Sequence, residues 1–348
     1  MNCFRGKLLY LFNNKRGLLF RNQAFYMIDL QSGDKEFILS TCQTFSIRGL
    51  ISHSRLANRL LRMEPRCIDR LKDGRFIICL YHKIWILNVE TKTLVSIQEI
   101  RPGFSDPLNF GADNDSVYWG DYGDNLQHKE VRVYRLDSDL RVQVMYTFPQ
   151  GAIRHIHSII WESSSCCFYV LTGDLEQSAG IYVASENWQV VRPLAIGKQQ
   201  FRSVIGFPYD KGFIYATDAV EEENSIYLIQ NGEVKQLCPM PGSCIYGAEI
   251  KDYFVFTTTV EPSEGHSALS LFNYKLGKGI KDRNAHMFIV RKSDLKVAEI
   301  LRTEKDLLPM RLFQYGAIML PKGQIDNEDL WYYIMACKGD GKSFRVDL

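Results

Sequence analysis

Short runs of alternating apolar and polar residues follow one another along most of this chain and predict β-strands. One kind of run recurs: "FYMIDL" (25–30), "KIWILNV" (83–89), "VRVYRL" (131–136), "GIYVAS" (180–185), "SIYLIQ" (225–230) and "HMFIVR" (286–291). Each precedes a polar turn and a second β-rich run, such as "SGDKEFIL" or "TKTLVSI". After the first, each also follows a hairpin partner: "RFIICL", "SVYWGDY", "CFYVLTGD", "GFIYATDA" and "YFVFTTTVE". A further run opens the unit, as in "CIDRL", "IRHIHSII", "FRSVIGF" and "IYGAEI". The repeat is therefore four antiparallel strands at a spacing of roughly 45 to 60 residues, the blade of a β-propeller.

Five such blades fit between about residue 65 and residue 305. The C-terminus adds "YGAIMLP", "LWYYIMAC" and "SFRVDL", and the N-terminus adds "KLLYLF", "GLLF", "FYMIDL" and "EFIL". If "KLLYLF" completes the last blade as its outer strand, the ring closes at seven blades, with six as the alternative. The fold expected is thus all-β: a single propeller domain over residues 1–348, closed by pairing of its N- and C-terminal strands. Two insertions interrupt it. "SRLANRLLRM" (54–63) reads as a helix with Leu56, Leu60 and Leu61 on its apolar side, opposite Arg55, Arg59 and Arg62. Such a basic amphipathic helix can lie on a membrane; at this length it reads rather as a cap between blades. The second insertion, "PSEGHSALSLFNYKLGKGIKDRN" (262–284), reads as a lid or rim to which Lys275, Lys278 and Lys281 add positive charge.

Composition agrees with this picture. The chain is 46% hydrophobic and 24% charged, as a folded protein should be, and its 18 Tyr and 20 Phe suit pleated sheets. A net charge of +2 gives no global field to recruit nucleic acid. No stretch approaches the length of a membrane helix, and the run from Leu8 to Phe12 is shorter than a signal-peptide core. Nine cysteines, without paired spacing, read as reduced thiols in a cytoplasmic protein; Cys79, Cys167 and Cys337 fall inside strand-like runs.

In a propeller, the innermost strand of a blade starts, and its second strand ends, on one face of the disc. That rule gathers Arg66, Arg154, His155, His157, Gln200, Arg202, Tyr246, Gln314 and Tyr315 with Asp121, Tyr122, Asp174, Asp218 and Glu261 around one channel opening. Asp121, Asp174 and Asp218 occupy equivalent points of successive blades, where a carboxylate either faces a ligand or braces its own turn. Arg66, Arg154 and Arg202 suit bidentate binding of carboxylates or phosphates, or ion pairs with those aspartates. His155 and His157 lie two apart on a strand and share a face, with Arg154 on the other. They fit a divalent metal with a third ligand such as Asp174 or Gln200, an acid–base role, or hydrogen bonding within the channel lining.

"ACKGDGKS" (336–343) matches the pattern of a phosphate-binding loop, but only "FRVDL" follows and it alternates like a strand. Without a helix to present its N-terminus, the match is a hairpin turn.

The series "YWGDYGDN", "IRHIHSII", "LTGDLE", "QQFRSVIGFP", "ATDAVEEENSIY" and "FTTTVE" resembles propellers of the BNR and sialidase-like type. More narrowly, it is similar to propellers encoded among bacterial capsule and surface-polysaccharide genes, over roughly residues 60 to 340. The Asp-box Ser-x-Asp-x-Gly-x-Thr-Trp is absent, "SENWQVV" (185–191) being at best a shortened relic. What the resemblance implies is a carbohydrate context; with Arg66, Arg154 and Arg202 to hold anionic groups, the ligand expected is an acidic glycan or glycan precursor, with polysaccharide-biosynthesis enzymes as partners. In a hydrolase or lyase of that kind, His155, His157, Asp121, Asp174 and Glu261 would be catalytic. Arg66, Arg154, Arg202, Tyr122, Gln200, Asp218, Tyr246 and Gln314 would hold substrate. The alternative is a propeller that binds a glycan, or scaffolds enzymes, without catalysis.

Overall fold

A computed structural model describes residues 3–41, 53–174, 176–263 and 275–348. Repeated four-stranded antiparallel sheets form a β-propeller of about seven blades. Contacts divide the chain into two compact units, Pro65–Thr217 and a second made of Met1–Glu64 with Asp218–Leu348.

Within Pro65–Thr217, the strands Cys67–Arg70, Phe76–Leu80, Lys83–Asn88 and Thr93–Glu99 form one sheet, and Gly111–Ala112, Val117–Gly120, Val131–Leu136 and Val142–Phe148 the next. His155–Glu162, Cys167–Gly173, Gly180–Ser185 and Val191–Ile196 form a third, followed by the hairpin Ser203–Tyr209 and Gly212–Thr217. Second strands are mostly buried, Phe76–Leu80 completely, while outer strands such as Thr93–Glu99 are largely exposed. The core lies between successive sheets: Ile77, Ile84 and Ile86 of one pack with Phe110, Trp119 and Leu136 of the next.

The run that recurs in the sequence is the third strand of each blade. Its pairing with the outer strand slips one residue at an aromatic side chain: Tyr26, Trp85, Tyr134, Tyr182, Tyr227 and Phe288. A bulge at that point increases local twist, which a blade requires. The expected hairpin at 336–343 is also present, joining Asp329–Met335 to Lys342–Asp347 with no helix after it.

Two expectations are corrected. The strand that completes the last blade is Cys3–Arg5, paired with Lys342–Asp347, and not the run beginning at Lys7. Gly6, at φ 120°, turns the chain between them, and Lys7–Leu11 then opens a blade of its own with Arg16–Arg21, Ala24–Asp29 and Lys35–Ser40. The helix Arg55–Leu60, capped by the Ser54 hydroxyl, has its faces reversed. Leu56, Leu60 and Leu61 are 52%, 46% and 54% exposed, whereas Arg59 is 2% exposed. Arg59 donates to Asp306 Oδ2 and to the Phe313 carbonyl, and Arg55 pairs with Glu64 and Asp340. A fully bonded guanidinium tolerates burial, and it is the carboxylates facing it that draw this side inward.

Of the 262–284 insertion, residues 264–274 lie outside the described residues. In its described part Lys275 is exposed, Lys278 N–H bonds Glu221, and Lys281 pairs with Glu223 at 3.1 Å. The eight cysteines among the described residues are free thiols. No helix among the described residues is long and apolar enough to cross a membrane.

Replacing Arg59 with Met is expected to cost about 2–3 kcal/mol by stranding buried partners. Leu60→Ser should change stability by less than about 0.5 kcal/mol. Denaturant unfolding measures both; a larger loss for the Leu60 variant would refute the reversed helix.

Candidate functional site

The cluster that forms lies wholly within Pro65–Thr217. His155 and His157 open the strand His155–Glu162, whose pairing with Cys167–Gly173 slips between Ile156 and Ser158. Both imidazoles are buried, 1% and 2% exposed, with ring centroids 4.8 Å apart. His157 crowds Gly173: a Cβ there would stand 2.3 Å from its Cε1, so only glycine leaves room for the ring. Tyr122 packs its ring 4.7 Å from His155.

Hydrogen bonding fixes the tautomers. His155 Nδ1 is 2.5 Å from the Gly123 carbonyl and His157 Nδ1 is 2.8 Å from the Ser203 carbonyl. A carbonyl only accepts, so both Nδ1 atoms carry hydrogen and both neutral rings direct an Nε2 lone pair inward. Those two Nε2 atoms are 2.9 Å apart. Asp174 Oδ1 completes the triangle at 3.4 Å from His155 Nε2 and 3.3 Å from His157 Nε2. Two lone pairs and a carboxylate oxygen at these distances repel unless a proton or a cation lies among them.

The electrostatics sharpen that requirement. Burial alone would raise the Asp174 carboxyl. Positive charge and N–H donation from the histidine pair, as when a proton lies between the two Nε2 atoms, together with Arg202 Nη2 3.0 Å away, outweigh it and hold Asp174 well below the usual carboxylate range. Burial lowers the His157 imidazole; its bond to Asp174 opposes this, and the charges of His155 and Arg202 reinforce it. The donor set fits a metal. Ligands about 2.1 Å from an ion stand about 3.0 Å apart in an octahedron and about 3.4 Å apart in a tetrahedron. The observed 2.9, 3.3 and 3.4 Å span those values. Each imidazole is also anchored through its outer nitrogen on a backbone carbonyl, the support that metal-ligating histidines use. Among the described residues this is the one group of three that could hold an ion.

Other expected residues have different settings. Asp121, equivalent to Asp174 in the blade repeat, turns its carboxylate to Arg101 Nη1 (2.9 Å), Tyr134 OH (3.1 Å) and Arg132 N (3.0 Å), bracing its own turn. Arg154 Nε donates to the Asp124 carbonyl at 2.7 Å, and Arg66 precedes a strand of a different sheet, where its N–H bonds the Cys79 carbonyl. Arg202 is thus the one of the three arginines that meets Asp174. Gln200 offers its carbonyl to Tyr215 OH at 3.0 Å, and the preceding Gln199 reaches the cluster instead, donating to the Asp174 carbonyl at 2.8 Å. Asp218, Tyr246, Glu261 and Gln314 belong to the other unit. There Asp218 is buried, Glu261 is buried against the Thr259 hydroxyl, the Tyr246 carbonyl accepts from Thr257, and Gln314 sits at φ 69°. Gln199 and the carbonyls of Gly123 and Ser203 went unpredicted, since backbone acceptors leave no mark on residue type.

That second unit holds a further His–carboxylate group, also unpredicted. His286 is buried between Glu299 (Nδ1, 3.0 Å) and Asp282 (Nε2, 3.1 Å).

No protein-family model matches the chain. No curated protein sequence matches it either. Solved structures do. An oligogalacturonate lyase from Vibrio parahaemolyticus is similar at TM-score 0.57 and 10% identity, over 92% of this chain and 87% of that one. An oligogalacturonate lyase in complex with manganese is similar at 0.56 and 9%, over 92% and 87%. The AfRom2 CNH domain is similar at 0.55 and 9%, over 99% and 94%. At such identities the likeness is one of fold: this chain is a β-propeller.

Proposed function

We propose that the His155–His157–Asp174 cluster holds a divalent transition metal and that this chain acts there on an acidic glycan, by a lyase-type reaction. One observation carries the reading: two Nε2 lone pairs and a carboxylate oxygen converge within 3.4 Å while both Nδ1 hydrogens are committed to backbone carbonyls. The burial of both rings favours a role as ligands over one as acid or base toward a glycan. Asp174, with its side chain 27% exposed, is the member that meets solvent. The fold likeness to oligogalacturonate lyases, one of them solved with manganese, supports an acidic sugar as the ligand.

A metal bound there would supply a Lewis acid that neutralises a sugar carboxylate and acidifies the C–H beside it. The chain's own residues orient the arrangement. Gly123 and Ser203 fix the rings, Gln199 holds the Asp174 backbone, and Arg202 pairs with the Asp174 carboxylate at 3.0 Å. A second reading, favoured by the Arg202–Asp174 pair at 3.0 Å, is a clasp in which one shared proton joins the imidazoles and the propeller binds a glycan without catalysis.

Chelator-treated protein titrated with manganese or zinc should bind about one ion, and His155→Ala should weaken that binding at least about 100-fold. Asp121→Asn should leave it unchanged. Because burial lowers the His157 imidazole, protons should displace the ion from that ligand only at a pH below the ordinary imidazole range, where binding should fall. Acidic oligosaccharides such as oligogalacturonate should then give unsaturated products, read by ultraviolet absorbance, only with metal present. Absence of any stoichiometric ion would leave the clasp; metal binding without glycan binding or cleavage would refute the glycan reading.

A further inference from the structure

The two ends of the chain meet at a polar cavity of about 520 Å³ in the unit formed by Met1–Glu64 and Asp218–Leu348. Arg5 and Lys342 stand directly opposite each other in the ladder that joins Cys3–Arg5 to Lys342–Asp347. Arg21, at the end of Arg16–Arg21, enters from a third strand, with Asn22 and His53 beside it. Like charges facing each other across an antiparallel pair destabilise it, and here both line the same cavity.

Two carboxylates also line the cavity, but both are committed. Glu64 pairs with Arg55 and accepts from Tyr333 OH at 2.9 Å, and Asp340 accepts from Arg55 and from the Ala336 N–H. Arg5, Arg21 and Lys342 make no ion pair with a carboxylate among the described residues. A cavity in the size range of small-molecule sites, polar in lining and with three uncompensated cations from three strands, suits a compact oxyanion.

We infer that this cavity binds a small phosphorylated ligand, its phosphate set among Arg5, Arg21 and Lys342. The anion removes the repulsion between Arg5 and Lys342 and ties the N-terminal strand to the C-terminal one. Binding therefore stabilises the closure of the fold. This site lies in a different unit from the His155–His157–Asp174 cluster and stands independently of the function proposed for it.

The full-length chain, held in a metal chelator so that the histidine cluster contributes nothing, is titrated with inorganic pyrophosphate at physiological salt by calorimetry and thermal unfolding. Saturable binding is expected, with a rise of a few degrees in Tm at excess ligand. Arg21→Gln and Lys342→Gln should each weaken binding about tenfold or more. Lys72→Gln, at an exposed lysine paired with Asp115 in the other unit, should not. Should Arg21→Gln fail to fold, Lys342→Gln alone decides. No saturable binding up to about 1 mM, or equal affinity in the Lys342 and Lys72 variants, overturns the site. Citrate binding as tightly as pyrophosphate overturns its preference for phosphate.

Discussion

A propeller blade needs four paired strands, and here the last blade obtains its fourth from the opposite end of the chain. The pairing of Cys3–Arg5 with Lys342–Asp347 covers only three residues, so side chains reinforce it. The Ser343 hydroxyl accepts from Leu8 N–H and donates to the Gly6 carbonyl, and Phe4 packs its ring 5.2 Å from Trp331. Without this seam, Asp329–Met335 and Lys342–Asp347 would leave an open sheet edge, the feature closed β architectures exist to avoid. The seam also fixes where the chain ends present their charges, which is how Arg5 comes to face Lys342.

Register shifts do for the histidine cluster what the seam does for closure. Pairing slips between Ile156 and Ser158 in the strand that carries both imidazoles. Equivalent slips occur at Leu8/Tyr10, Ser203/Ile205 and Cys244/Tyr246 in the first strands of other blades. The slip thus recurs in four first strands, though not in Cys67–Arg70, Gly111–Ala112 or Gly316–Met319, and the chemistry at His155 and His157 is grafted on it by residue choice. Gly173 makes room, while Gly123 and Ser203 contribute only carbonyls.

The blade repeat could be read from the chain because six third strands place an aromatic residue at their bulge, from Tyr26 to Phe288, and second strands such as Phe76–Leu80 are dense apolar runs. Short-range patterns record such features. The helix at Arg55–Leu60 misled for the opposite reason. Its periodicity was correct, but which face turns inward depends on Asp306, 247 residues from Arg59, and on Asp340, 285 residues from Arg55. Likewise Asp121 and Asp174 hold the same place in the repeat. What separates them is that Arg101 and Tyr134 surround one and two imidazoles with Arg202 surround the other. The pairing of His155 with His157 followed from strand alternation alone, whereas the inward direction of both Nε2 atoms followed from acceptors that carry no side-chain signature.

The charge balance at that cluster links its two proposed occupants. The Asp174 carboxylate and the Arg202 guanidinium 3.0 Å from it cancel each other, so the cluster is close to neutral whenever both imidazoles are neutral. A shared proton there adds one positive charge against buried rings; a divalent ion adds two. An unbalanced charge beside buried groups is costly, and the only carboxylate in the triangle already serves Arg202. An ion would therefore bind best with an anion completing its coordination from the side of Asp174, the one member open to solvent. On this argument metal affinity and affinity for an acidic ligand should rise together, each lowering the cost of the other. A neutral sugar of the same size would gain nothing from the ion, so selection for acidic glycans would come from the charge of the site and would not require a dedicated arginine clamp.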